Sequence, residues 1–275
     1  VLDCGTNSVA EVEMLRQRGV DVVILDHHEP SAPAQPLALV NYKLRIQNSE
    51  LRIQNSPPPI LNSQFSILQT EYCTAGLAFK FCHALIRAER QAGHAAAHNV
   101  DLKQYLDLVA LATVADLAPL TGENRALVRH GLRQMTETIH PGLRALMEVA
   151  ALKGSPSSSD CGFKLGPRLN AAGRLAHAMS SYRLLMTDSP QEARELAAWL
   201  EQKNTERQSL TSKAQAKARD HVLAQSLTPL LFVTDPDFPT GICGLVAGRL
   251  AEEFYRPAVV VRTGEQFSGG SCRSI

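Results

Sequence analysis

Short apolar runs and one amphipathic stretch alternate over the first 25 residues. Positions 1–2 end an apolar run, positions 8–18 place apolar residues at helical spacing, and positions 20–25 form a β-branched run. This alternation predicts a strand, a helix and a second strand. A right-handed crossover makes such strands parallel, so Asp3 and Asp26 are both expected at carboxyl strand ends, where open α/β sheets place their sites.

Helical periodicity dominates the middle of the chain. Apolar residues recur at helical spacing over 76–90, 102–114 and 123–135. Asp116 follows the second of these stretches, so the sequence predicts this carboxylate at a helix exit. A polar stretch from about 190 to 225 carries one apolar stripe and predicts a long connecting helix.

After the long helix the pattern returns to strands. Leu230–Val233 and Ala258–Val261 are apolar runs, and Cys243–Phe254 between them has helical spacing. The predicted fold class is therefore α/β, with a parallel-sheet domain joined by a long helix to a smaller α/β domain. The expected division is 1–189 for the first domain, 190–226 for the connecting helix and 227–275 for the second domain.

A tandem repeat interrupts the first predicted domain. The hexapeptide Leu-Arg-Ile-Gln-Asn-Ser occupies positions 44–49 and again 51–56, and three prolines follow it. Two copies of this length are too short for a solenoid, whose repeats are about 20 residues or longer. The segment at about 43–69 is therefore predicted to be an insertion that forms a surface loop without a function of its own.

Composition is that of an ordinary globular protein. The 275 residues are 44% hydrophobic and 20% charged. The apolar runs are shorter than the roughly 18 to 20 residues of a membrane span, and no secretory signal is visible. We therefore expect a cytoplasmic protein without a transmembrane segment.

Charge and cysteine usage narrow the expected chemistry further. The net charge is +1, so nucleic acid would have to be attracted by a local groove rather than by the whole molecule. The six cysteines, at positions 4, 73, 82, 161, 243 and 272, contain no CxxC pair. Their scatter argues against a disulfide framework and against a zinc site.

The triplet Asp26-His27-His28 directly follows an apolar strand. Alone it is a weak signal, because polar residues after a strand more often form a turn. Its weight rises with Asp3 at the preceding strand end and Asp116 at a helix exit. Carboxylate and imidazole donors suit Mn²⁺ or Mg²⁺, and a two-metal centre with about 3.5 to 4 Å between the ions activates water for attack on phosphate.

Three segments around these residues resemble motifs of a known family. Val1–Gly5 and Ile24–Pro30 are similar to the second and third motifs of the DHH phosphoesterases, and Leu111–Asp116 is similar to the fourth. The resemblance implies a metal-dependent phosphodiesterase that uses Mn²⁺ or Mg²⁺.

The same resemblance implies a role for each residue. Asp3 would bridge two metal ions, and His27 and Asp116 would each bind one. His28 would contact the scissile phosphate, and Asp26 would orient a histidine from the second coordination layer.

Four further segments resemble the family members that degrade single-stranded DNA. They are Phe163–Leu175, Asn204–Gln208, Gly241–Leu250, which resembles the opening of the accessory DHHA1 domain, and Gly270–Ser274. Arginine forks and the backbone amides of a Gly-Ser turn suit phosphate oxygens. The substrate-binding candidates are Arg168, Asn170, Arg174, Ser271 and Arg273. The alternative is that Asn170 and Arg174 only tie a loop to the core.

The chain also departs from the family pattern. The aspartate-rich first motif, which would stand upstream of Asp3, is absent, and two metal ligands are missing with it. The glycine-rich motif that follows Gly270–Ser274 in the family is absent as well. We therefore expect a piece of a longer enzyme that is inactive by itself.

The expected function is 5′-to-3′ exonucleolytic hydrolysis of single-stranded DNA in repair and recombination, with a helicase and a single-strand-binding protein as partners. One alternative is a DHH enzyme acting on short oligoribonucleotides, cyclic dinucleotides or pyrophosphate. The arginine-containing segments Phe163–Leu175 and Gly270–Ser274 disfavour this alternative. Another is a non-catalytic scaffold with the same fold. Retention of Asp3, Asp26, His27, His28 and Asp116 disfavours the scaffold.

Overall fold

A computed structural model of the chain describes residues 1–44, 70–224 and 228–275. The hexapeptide repeat predicted to form a loop lies outside the described residues, apart from its first position. The chain divides into two compact units. Unit one comprises Val1–Ile139 and Lys153–Gly162, and unit two comprises His140–Leu152 and Phe163–Ile275.

Unit one begins with the predicted strand–helix–strand arrangement. Helix α1 spans Val9–Gln17, and strands β1 at Val23–Leu25 and β2 at Ala38–Val40 pair in parallel. Leu2 forms a parallel bridge to Leu25 on the other side of β1. The apolar side of this layer buries Val12, Val22, Ile24 and Ala34. The α/β opening is confirmed, and the short strand β2 is an element that the sequence pattern did not predict.

Helices fill the rest of unit one. They are α2 at Thr74–Gln91, α3 at Leu106–Ala115 and α4 at Gly122–Met135, with 3-10 turns at Ala95–Asn99 and Leu102–Tyr105. Helix α4 approaches α3 so closely that a Cβ atom at Gly131 would lie 2.0 Å from the carbonyl oxygen of Leu106. Only glycine allows this approach. The three predicted helices are confirmed, and a short helix α6 at Ser158–Asp160 follows later in the chain.

The long helix of unit two is confirmed as α9 at Pro190–Ala224, a single helix of 35 residues. Three shorter helices pack along it: α5 at Pro141–Val149, α7 at Gly166–Leu175 and α8 at Met179–Met186. The boundaries of the compact units therefore differ from the predicted domain boundaries at 189 and 226. The predicted division into domains stays a prediction.

Residues 163–175, for which the sequence pattern predicted no element, are helical. A π-helical turn at Cys161–Leu165 leads into α7, and Pro167 stands at the start of α7, where its missing N–H costs nothing. Leu165, Ala171 and Ala172 are fully buried at helical spacing. Packing of this apolar stripe accounts for the helix.

The end of unit two is a three-stranded sheet with a helix between its first two strands. Strand β3 spans Leu231–Asp235, helix α10 spans Thr240–Phe254, β4 spans Ala258–Arg262 and β5 spans Gly269–Arg273. The strand order is β3-β4-β5, with β3 parallel and β5 antiparallel to β4. The predicted strand–helix–strand pattern is thus confirmed.

The predicted Gly-Ser turn at 270–274 is wrong, because Gly269–Arg273 is a strand hydrogen-bonded to β4. Glycine suits this strand since a Cβ at Gly270 would lie 2.2 Å from the carbonyl oxygen of Val260. Crossing a membrane takes a long apolar helix, and the described part of the chain contains none.

Candidate metal centre

Three separate segments of unit one bring polar side chains to one place. Asp3 follows the Leu2 bridge in a left-handed conformation with φ of 62°. The pair His27-His28 follows β1, and Asp116 is the C-cap residue of α3. Strand ends and a helix exit therefore position the acidic and imidazole groups, as the sequence predicted.

His27 lies between two carboxylates. Its Nε2 atom is 3.2 Å from Asp3 Oδ1, and its Nδ1 atom is 3.6 Å from Asp116 Oδ2. Only 18% of the His27 side chain is exposed, so packing holds the ring in this position. The predicted proximity of Asp3, His27 and Asp116 is confirmed.

The donor atoms fit a divalent cation. Ligand atoms of Asp3, His27 and His28 all lie within 4.8 Å of one another. Asp116 approaches this group from the other side of the His27 ring. Carboxylate oxygen and imidazole nitrogen are donors that Mn²⁺ accepts, and no thiolate joins them in the described residues. The assignment of individual ligands stays a prediction.

Asp26 is enclosed by donors rather than open to a metal. Its side chain is 1% exposed, and Oδ1 accepts hydrogen bonds from the His27 amide at 2.8 Å and the His28 amide at 3.2 Å. Oδ2 accepts from the Thr6 amide at 3.0 Å. Burial raises the pKa of Asp26, but the hydrogen bonds from Thr6 and His28 outweigh it and hold the pKa well below its usual range. Asp26 is therefore an ionised acceptor inside the protein.

This carboxylate orients His28. The His28 Nδ1 atom lies 2.7 Å from Asp26 Oδ1, so Nδ1 carries the proton and Nε2 faces away from Asp26. The hydrogen bond to Asp26 raises the pKa of His28, and burial opposes this only in part. The role predicted for Asp26, orienting a histidine, has the geometry it needs, and the histidine is His28.

Burial and neighbouring charges also shift the pKa of Asp116. Burial raises the pKa of its carboxyl group, the negative charge of Asp3 adds to this, and His27 and His28 lower it in part. Two carboxylates thus meet around one imidazole. A cation would relieve their repulsion.

Sequence reasoning missed three residues that support the centre, namely Thr6, Asn41 and Thr74. Asn41 Nδ2 donates to Thr6 Oγ1 at 3.0 Å and to the His28 carbonyl oxygen at 2.8 Å, and Thr74 Oγ1 donates to Asp3 Oδ1 at 2.8 Å. Asn41 follows β2 at the same sheet edge as Asp26, so predicting β2 would have indicated Asn41. Nothing local in the sequence indicates Thr74.

The substrate-binding candidates all lie in unit two, where the three arginines among them already have hydrogen-bond partners. Arg168 forms an ion pair with Glu201 and donates to the Lys164 carbonyl oxygen at 2.8 Å. Arg174 is exposed and donates to the Gly241 carbonyl oxygen at 3.2 Å. Asn170 is exposed on α7 and has no hydrogen-bond partner within the described residues. Its predicted tie to the core is therefore not seen.

Ser271 and Arg273 point to the same face of β5, because they are two residues apart in a strand. This face meets α10 at Gly244, where a Cβ atom would lie 3.1 Å from Ser271 Oγ and 3.3 Å from Arg273 Nη2. The absent side chain of Gly244 thus makes the space in which both groups sit. Arg273 Nη1 donates to the carbonyl oxygen of Cys272, and no carboxylate neutralises it among the described residues.

Comparison with known proteins gives a consistent result. Residues 1–113 match the model of the DHH family, N-terminal domain. The whole chain is 34% identical to the single-stranded-DNA-specific exonuclease RecJ of Bacillus subtilis (strain 168), of which it covers 32%, and 35% identical to RecJ of Escherichia coli (strain K12), of which it covers 46%. The chain thus spans a third to a half of the length of these curated relatives.

Solved structures agree in fold. A crystal structure of RecJ in complex with Mn²⁺ from Thermus thermophilus matches all of this chain with a TM-score of 0.78 and 32% identity, and 37% of the RecJ chain is covered. A crystal structure of exonuclease RecJ bound to manganese matches with a TM-score of 0.75 and 30% identity, over 62% of that chain. Both neighbours were crystallised with the cation that the donor set of this chain suits.

Proposed function

Because the chain belongs to the DHH family, we propose that it supplies the metal-dependent catalytic centre of an exonuclease that hydrolyses single-stranded DNA in the 5′-to-3′ direction. The observation that carries the proposal is the position of His27 between Asp3 and Asp116, beside a His28 held by a buried carboxylate. The expected setting is DNA repair and recombination in the cytoplasm. A helicase and a single-strand-binding protein are the expected partners, because they generate and cover the substrate.

Asp3, His27 and Asp116 are the residues that would hold the cation. A divalent ion supplies positive charge that polarises a phosphoryl oxygen. The chain itself would arrange the ligand atoms before an ion binds, because the His27 side chain is largely buried and the Asp3 carboxylate accepts a hydrogen bond. Such prior arrangement lowers the entropic cost of binding.

His28 is the residue that would contact the scissile phosphate. Asp26 occupies Nδ1, so Nε2 is the atom left for substrate, and 60% of the side chain is exposed. Asn41 holds the His28 carbonyl oxygen and thereby fixes the backbone of the same residue. Ring and backbone are thus both positioned by groups that do not touch the substrate.

Unit two would bind the DNA backbone. Ser271 and Arg273 share one strand face, and Arg174 and Asn170 are exposed on α7, so all four are open to a phosphate. Arg168 is the weakest of the candidates, since Glu201 already neutralises its guanidinium group. Arg174 and Arg273 have the strongest support, because each combines exposure, a planar fork of donors and no acidic partner among the described residues.

A nuclease assay tests this function. The longest natural polypeptide that carries the chain is incubated with Mn²⁺ and single-stranded DNA labelled at one end. We expect a 5′ label to be released first as mononucleotide, and duplex DNA of the same sequence to be degraded far more slowly. Loss of the 3′ label first, or faster cleavage of cyclic dinucleotides than of DNA, would contradict the proposal.

Replacement of Gly244 by alanine tests the phosphate-binding face. The new methyl group would lie 3.1 Å from Ser271 Oγ and 3.3 Å from Arg273 Nη2, so both side chains must move. We expect the Kd for single-stranded DNA to rise about three- to tenfold and its salt dependence to flatten by about one phosphate contact. Fluorescence anisotropy with a chelator, at several salt concentrations, measures both.

Gly248→Ala is the matched control for Gly244→Ala. A methyl group at Gly248 would lie 3.9 Å from Arg273 Cγ, an ordinary contact, while both variants gain about 1 kcal/mol of helix propensity. We expect Gly248→Ala to bind DNA as the unsubstituted chain does. Equal affinities for the two variants would argue against phosphate binding at this face.

A further inference from the structure

Asp3 is the most exposed of the proposed metal ligands. Its side chain is 65% exposed, and its backbone follows a single bridge residue in a left-handed conformation. Besides the contact with His27, its carboxylate accepts one hydrogen bond in the described part of the chain, from Thr74 Oγ1 at 2.8 Å. Orientation of Asp3 therefore depends on Thr74 and His27.

Thr74 is placed to make this bond by its position in α2. It is the first residue of the helix, and only 7% of it is exposed. Inside a helix a threonine hydroxyl commonly donates to the carbonyl four residues earlier. Thr113 and Thr211 do so, with distances of 2.7 Å to the carbonyl oxygens of Val109 and Arg207 respectively.

At the first position of α2 there is no preceding turn of helix to accept this hydrogen bond. The Thr74 hydroxyl instead reaches a carboxylate 71 positions away in the sequence. Helix α2 is thereby connected directly to the metal centre, and Thr74 is the residue that makes the connection.

We propose that Thr74 is a positioning residue that orients the Asp3 carboxylate for cation binding. The inference rests on the proposed metal site. An ionised carboxylate offers about four lone-pair positions, so the hydroxyl of Thr74 occupies one and leaves the others for an ion. Without it, the exposed side chain of Asp3 samples several rotamers, and the cation must select one of them at an entropic cost.

Mn²⁺ titration of the longest natural polypeptide that carries the chain tests the proposal without an activity assay. Thr74→Val keeps the shape and removes the hydroxyl, and Thr74→Ala removes the hydroxyl and the methyl group with a residue that favours helix. We expect both to weaken Mn²⁺ binding about tenfold by isothermal titration calorimetry. Thr74→Ser, which differs from Thr74→Ala by one oxygen atom, is expected to restore affinity to within about twofold of the unsubstituted chain.

Thr211→Val is the matched control. It also removes a buried threonine hydroxyl from a helix, but that hydroxyl donates within its own helix in unit two. We expect it to lower stability while leaving Mn²⁺ affinity unchanged.

The outcomes separate the two levels of the proposal. Unchanged Mn²⁺ affinity in Thr74→Val and Thr74→Ala, or an equal loss in Thr74→Ser, would overturn the role of Thr74 while the metal site stands. Absence of Mn²⁺ binding by the unsubstituted chain would overturn the metal site itself, and the role of Thr74 with it.

Discussion

Replacement of His27 by alanine is expected to weaken Mn²⁺ binding by the chain at least about a hundredfold. The ring nitrogens lie 3.2 Å from Asp3 Oδ1 and 3.6 Å from Asp116 Oδ2, so the substitution removes a proposed ligand and the group that separates two carboxylates. Asp3 and Asp116 would then repel each other without the imidazole between them. Isothermal titration calorimetry at neutral pH measures the change.

His83→Ala is the control for this substitution. His83 is an exposed histidine on α2 in the same unit, and it does not belong to the described group of metal-ligating side chains. We expect its replacement to leave Mn²⁺ affinity unchanged. If His27→Ala bound Mn²⁺ as tightly as His83→Ala, the metal would be held elsewhere.

The fold could be predicted where the spacing of apolar residues agrees with the residues that begin and end helices. Helices α2, α4 and α9 each carry an apolar stripe over several turns, and all three follow the predicted course closely. Strand β2 has three residues, too few for a pattern. Strand β5 begins with two glycines, and the second, Gly270, is required by the close approach of β4 rather than by local preference.

The proximity of the proposed metal ligands could be predicted because their positions depend on local elements. Asp3 and His27 each follow a strand end, and Asp116 follows a helix, so the sheet topology brings them together. Thr6 and Thr74 could not be predicted, because each acts through a partner 20 or more positions away. A hydroxyl or amide with a distant partner leaves no periodic signal in the sequence.

Arg168 shows the same limit for charged groups. Its sequence context resembles a phosphate-binding segment, yet its guanidinium pairs with Glu201 on α9. The pairing depends on the packing of α7 against α9, which requires that residues 163–175 form a helix. Since the sequence pattern predicted no helix there, the carboxylate partner was not foreseen.

Replacement of Asp26 by asparagine is expected to destabilise unit one by about 2 to 4 kcal/mol at neutral pH. The carboxylate is 1% exposed and accepts from three backbone amides and from His28 Nδ1. An asparagine side chain has one oxygen, so its NH₂ group would face at least one N–H donor. Urea unfolding read separately for each unit by hydrogen exchange measures the loss, and His28 loses its orientation as well.

The same substitution should change how stability depends on pH in the metal-free protein. The pKa of Asp26 is lowered by folding, so its contribution is complete above the unfolded-state value of about 3.9 and is lost as pH falls below that value. The pKa of His28 is raised by Asp26, so the contribution of His28 to stability is present below about pH 6.5 and is lost as pH rises through the folded-state pKa.

We therefore expect unit one of the unsubstituted chain to lose stability below about pH 4, and Asp26→Asn to show a shallower slope there. Asp21→Asn, at an exposed position of the same unit, should keep the original slope and change stability by less than about 0.5 kcal/mol. Equal acid slopes for the unsubstituted chain and Asp26→Asn would show that Asp26 is not the ionised acceptor on which the orientation of His28 depends.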